Sequence, residues 1–115
     1  MIENNNNNKL IIIEGPCWSC KHKMKICYID ADQSTIYPEN FIQEDIDLAT
    51  GNGVKLAKCN SKTAGYAYLG NICPNCGKLC GNYYINIDYI FEAFANKEYP
   101  YVVLNAIGKY DFIEE

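Results

Sequence analysis

Cys17-Trp18-Ser19-Cys20 and Cys73-Pro74-Asn75-Cys76 are the two stretches on which the fold of this chain turns. Each places two thiols on one tight turn. Two such turns brought together supply four sulfurs at the corners of a tetrahedron, the arrangement a structural zinc ion takes. The spacing marks Cys17, Cys20, Cys73 and Cys76 as the expected metal ligands. Residues 21–72 separate the pairs, and closing a gap of that length costs roughly 4 kcal/mol in chain entropy. Structural zinc contributes on the order of 10–16 kcal/mol at neutral pH, so the metal term wins once the thiolates meet.

Working outward, the residues beside each pair read as strands. Residues 9–14 are rich in β-branched side chains, and Gly15-Pro16 breaks the run ahead of the first turn. Over residues 23–30, Met24, Ile26 and Tyr28 share one face and Lys25, Cys27 and Ile29 the other. Residues 31–37 read as a polar turn. Pro38 suits the first turn of a helix running to about residue 50, with Gly51 as its stop. Its inner stripe would be Phe41, Ile42, Ile46 and Ala49, and Glu39, Glu44, Asp45 and Asp47 would face water.

Short strands are expected near residues 54–58 and around Tyr66, Tyr68 and Leu69. After the second cysteine turn, residues 82–87 read as a strand. Residues 88–96 read as a short helix with Asp88 as N-cap and Ile90, Ala93 and Phe94 inward. Residues 99–107 are apolar and β-branched, and Pro100 near their start suits an edge strand.

A turn bearing two cysteines and followed by a strand thus occurs twice, and in this the chain resembles zinc-ribbon proteins. The residues that carry the likeness are Cys17, Cys20, Cys73, Cys76 and Gly77, within some 25 residues in all. Glycine after the second cysteine permits the positive φ that turns amide N–H groups toward sulfur. The second knuckle has it in Gly77; the first has Lys21. The second knuckle is also similar to that of rubredoxins, which hold one iron in four thiolates. The resemblance implies a shared sheet carrying both knuckles. The expected fold is α+β: a small antiparallel sheet built on a four-cysteine zinc ribbon with a helix-containing insert. It forms one domain over residues 9–115 behind a disordered, Asn-rich tail at residues 1–8.

The remaining thiols, Cys27, Cys59 and Cys80, read as small buried apolar filler. Cys80 is close enough to Cys76 in sequence to compete as a ligand, and a Cys27–Cys80 disulfide is conceivable. The start of the chain is neither basic nor strongly apolar, Leu10–Ile13 is too short to span a membrane, and no Asn-x-Ser/Thr site occurs. A reducing, cytoplasmic setting with metal ligation is expected, with no membrane association.

Function is written less clearly. His22 is the sole histidine, no phosphate-binding Gly-rich loop occurs, and four thiolates leave a metal no open position, so an enzyme is not expected. The net charge is −4, and all ten basic residues are lysine. Without arginine, the usual reader of guanine edges and phosphates, a dedicated nucleic-acid binder is disfavoured. Lys21, Lys23, Lys25, Lys55, Lys58 and Lys62, with Tyr28, Tyr66 and Tyr68, keep such a face in contention if they converge. The leading expectation is a zinc-stabilised protein-interaction module, with ten tyrosines suited to interfaces and Tyr99-Pro100-Tyr101 placed to pair with a partner strand. A small acidic inhibitor or accessory protein of a nucleic-acid-handling system, of phage or defence type, is a variant. A nucleic-acid-binding ribbon and a rubredoxin-like iron redox protein are the alternatives.

Overall fold

Ile11, Ile12 and Ile13 leave the first strand no face suited to water. The computed structural model, which describes residues 8–31, 34–61, 66–81, 85–108 and 110, sets that strand inside a sheet covered on both sides. The sheet is antiparallel, in the order β3-β2-β1-β7, with β1 at Lys9–Pro16, β2 at Lys23–Ala31, β3 at Ser34–Ile36 and β7 at Tyr101–Asn105. A second antiparallel sheet is ordered β4-β5-β6, from Leu56–Ser61, Tyr66–Ile72 and Leu79–Cys80. Helix α1 spans Gln43–Gly51 and helix α2 spans Ile85–Ala95. The class is α+β, with more strand than helix. The ribbon resemblance implied one shared sheet; the two knuckle hairpins instead belong to separate sheets.

Period-two alternation divides the core in two. Leu10, Ile12, Cys27, Ile29 and Ala31 face one side, where Phe41, Ala49 and Val54 close over them. Ile11, Ile13, Met24, Ile26 and Tyr28 face the other, beneath Ile85, Tyr89 and Ala93 of α2 and beside Cys17, Cys73 and Cys80. At roughly 1.5–3 kcal/mol for each large apolar side chain withdrawn from water, both faces contribute substantially.

Several elements depart from the sequence reading. Pro38–Asn40 makes only a single 3₁₀ turn; Phe41 and Ile42 are extended, and α1 starts at Gln43. Phe41 and Ala49 do point inward, but Ile42 is exposed. Residues 34–36, read as turn, pair with β2. Residues 82–84 lie outside the described residues, and from Ile85 onward the expected strand is helix. At the end of α2, Asn96 N–H reaches back to Phe91 O at 3.2 Å, the five-residue step of a π winding. Buried Ile85, Tyr89 and Ala93 fall four apart, a spacing this wider winding keeps on one line. Phe94, expected inside, is exposed.

Two buried polar side chains tie the pieces together. Asp45, expected in water, is wholly buried: it accepts from Ile107 N–H (2.7 Å), Gly108 N–H (2.9 Å) and Tyr110 O–H (2.6 Å). The Tyr110 oxygen accepts in turn from Ile42 N–H at 2.9 Å, at the uncapped start of α1. Asn71 of β5 spans Cys27 of β2: Cys27 N–H donates to its Oδ1 (2.9 Å), and its Nδ2 donates to Cys27 O (3.2 Å). β3 pairs only with Ile29–Ala31, so this amide serves the stretch of β2 edge that β3 leaves open. At the other end, Asn8, counted with the polar tail, is buried; its O accepts from Ala106 N–H, and its side chain donates to Gly108 O.

Candidate metal centre

Each knuckle is the turn of an antiparallel hairpin, β1 into β2 and β5 into β6. The two turns repeat one another bond for bond. Cys17 N–H donates to His22 O at 2.8 Å, as Cys73 N–H does to Lys78 O at 2.9 Å. Lys21 N–H donates to Cys17 O at 3.0 Å, as Gly77 N–H does to Cys73 O at 2.9 Å. Ser19 N–H approaches Cys17 Sγ at 3.3 Å, and Asn75 N–H approaches Cys73 Sγ at the same distance. Lys21 and Gly77 take φ 66° and 77°. Lysine at the first knuckle therefore adopts the turn that glycine makes at the second.

The four sulfurs of Cys17, Cys20, Cys73 and Cys76 lie within 4.8 Å of one another. Cys17 to Cys76 is 3.6 Å and Cys20 to Cys73 is 3.7 Å. A tetrahedron of thiolates at the usual zinc–sulfur distance has edges of about 3.8 Å. A disulfide needs about 2.0 Å, and all four cysteines are free. Each pair contributes one buried sulfur, Cys17 or Cys73, and one at the surface, Cys20 or Cys76.

The local electrostatics suit a cation among the sulfurs. The Asn75 side-chain amide, at 3.5 Å, and the backbone at His22 pull Cys20 down to about 6. For Cys17, burial is the largest single influence and works upward. The backbone N–H groups of Cys20 and Ser19, with the sulfurs of Cys76 and Cys73, outweigh it, and the thiol is lowered. Cys76 is pushed up to about 11: the Lys78 backbone draws it down, but burial and the three neighbouring sulfurs prevail. Four sulfurs this close do not all ionise without a positive charge among them. The donor set and spacing fit zinc or iron alike, and the surrounding N–H groups complete the outer contacts such a site uses.

The other candidates separate from this cluster. Cys80 is buried against α2 and is pushed up to about 12 by burial, with Asp88 and Cys17 adding to it. Cys27 packs on the opposite face of the four-stranded sheet, so the conceivable Cys27–Cys80 disulfide is not made. Cys59 is half-buried, its thiol 3.6 Å from Ala57 O. His22 is exposed and serves the knuckle through its backbone, accepting from Cys17 N–H and lowering the Cys20 thiol. Within the lysine and tyrosine set, one ring is withdrawn from the surface and one lysine is engaged by the backbone. Tyr28 is buried in the core, and Lys25 Nζ is held at 3.3 Å by Asn52 O; Lys62 lies outside the described residues. The carboxylates assemble no second site among the described residues.

Four contacts at or beside the centre escape sequence reasoning. Trp18 Nε1–H donates to Leu79 O at 2.8 Å, pinning the first knuckle to β6. Asn75 reaches across to Cys20. Gly15 lies so close under the Tyr99 and Tyr89 rings that a Cβ there would meet them at 2.8–3.0 Å, and Tyr89 O–H donates to Pro16 O at 2.6 Å. Nothing in the cysteine spacing pointed to any of these. No helix among the described residues is long and apolar enough to cross a membrane. Comparison with protein-family models, curated proteins and solved structures finds no match to the chain.

Proposed function

We propose that this chain is a cytoplasmic, non-catalytic protein-interaction module whose four cysteines hold a structural zinc ion. Zinc is taken over iron on the resemblance alone, since Lys21 departs from the glycine of the rubredoxin pattern although it makes the same turn. Four thiolates fill the coordination sphere of either metal, leaving no place for water or substrate. The metal acts on the fold: it clamps the β1–β2 hairpin to the β5–β6 hairpin. An acidic inhibitor or accessory protein is the form of this reading that suits the charge of −4.

The observation that supports interaction is the edge strand. Tyr101, Val102 and Val103 of β7 are 44, 53 and 48% exposed, on both faces of the sheet. Phe94 of α2 stands exposed beside it, its ring 4.3 Å from that of Tyr101. Troughs flank the start of the strand. One of about 190 Å³ is lined by Ile12, Lys25 and Val102, and one of about 380 Å³ by Ala93, Tyr99 and Tyr101. An added strand needs free backbone groups and places for alternate side chains, and both are here. The test is capture from native lysate by wild type and by Val103→Lys. A saturable partner kept by the first and lost by the second, at unchanged metal content, supports the reading; no saturable partner, or equal capture, overturns it.

A further inference from the structure

From the hydrogen-bond parity of β7 we infer that a second copy of this chain pairs along that strand, extending the sheet from four strands to eight. The inference rests on the interaction reading above and names its partner. Val102 and Leu104 sit opposite Ile12 and Leu10 of β1, Glu14 N–H donates to Pro100 O (3.0 Å), and Ala106 N–H donates to Asn8 O (3.1 Å). In an antiparallel ladder a residue directs its N–H and C=O to the same neighbour, and alternate residues face opposite ways. The even-numbered residues 100–106 therefore serve β1. Tyr101, Val103 and Asn105 direct their N–H and C=O groups to the open edge, where no described residue pairs with them.

Three outward residues have a centre, and it is Val103. A two-fold axis there pairs Val103 with Val103, and Tyr101 with Asn105 in both directions, so every outward N–H and C=O finds a partner. A closed dimer of this kind needs one self-complementary patch. β7 meets that condition in its side chains too. Tyr-Val-Val-Leu-Asn has no charge and no internal proline, the devices that usually blunt an edge. Two acidic molecules therefore meet along their uncharged strand. Lys9, whose Nζ holds Asn105 Oδ1 at 2.7 Å, marks one end of β7, and Glu98 precedes the other. The two-fold sets the lysine end of each copy beside the glutamate end of its mate.

Sedimentation equilibrium of the full, metal-loaded chain across a dilution series, with amide exchange at each concentration, tests this. The expected result is twice the 13.1 kDa chain mass at high concentration, with Tyr101, Val103 and Asn105 amides protected only there. Val103→Pro removes one outward donor and leaves the β1 ladder intact; it should raise the dissociation constant at least tenfold, and Val103→Lys should do the same. A single-chain mass at every concentration overturns the dimer, whether those amides exchange freely or are covered by the chain itself. The interaction reading then stands on its capture test alone. A dimer unchanged in both variants overturns β7 as its seam.

Discussion

Lys21 and Gly77 hold equivalent places in the two knuckles, and comparing them isolates what a side chain costs there. Both have positive φ. For a residue with a Cβ that region costs about 1–2 kcal/mol. A Cβ at Gly77 would meet nothing within 4 Å, so Gly77→Ala probes backbone strain alone. It should destabilise by about 1 kcal/mol, and Lys21→Gly should be neutral or stabilising by up to about 1 kcal/mol, since glycine also loosens the unfolded chain. Urea midpoints of the metal-loaded variants check both.

Cys27 makes a prediction on the alkaline side. Burial raises its thiol above the ordinary 9.0. A raised acid binds its proton more tightly folded than unfolded. Its contribution is complete below pH 9 and falls as pH rises, by about 1.4 kcal/mol per unit while only the unfolded thiol ionises. Cys27→Ala should flatten the decline in stability above pH 9. An unchanged slope would show that Cys27 is not sealed in the core. At Asp45, replacement by alanine strands three donors and should cost about 2–4 kcal/mol, read from the same urea midpoints.

Among the elements, the clearest join is the Asn71 amide against Cys27. Asn71→Ala leaves a buried N–H and C=O without partners, at about 1–3 kcal/mol. The Cys27 amide should then exchange faster than its neighbours in β2; uniform protection would contradict the role given to Asn71. Strands flanking the knuckles were legible because alternation at Met24, Ile26 and Tyr28 speaks directly of a sheet covered on that face. The edge position of β7 was legible through Pro100. Helix α2 was legible over residues 88–96 but not in its first residues: the stretch 82–87 alternates like a strand, and only packing of Ile85, Tyr89 and Ala93 over the sheet reveals that the winding starts earlier. Asp45 was misread because a carboxylate on a helix ordinarily faces water, and its donors lie about sixty residues further on. Long-range pairing of that kind leaves no local trace.

For the whole molecule, the sequence showed the four sulfurs and not the way two sheets meet around them. The second sheet is fastened to the first through Asn71, Trp18 and the knuckle pair. A metal worth on the order of 10–16 kcal/mol matches or exceeds the net stability of a typical domain, about 5–15 kcal/mol. Chelation should therefore abolish the cooperative unfolding transition rather than lower its midpoint slightly. X-ray absorption at the metal edge of the purified chain addresses the centre itself. One zinc per chain with four sulfur neighbours at about 2.3 Å is the expected spectrum. Nitrogen or oxygen in the inner shell, or well under one metal per folded chain, would contradict it.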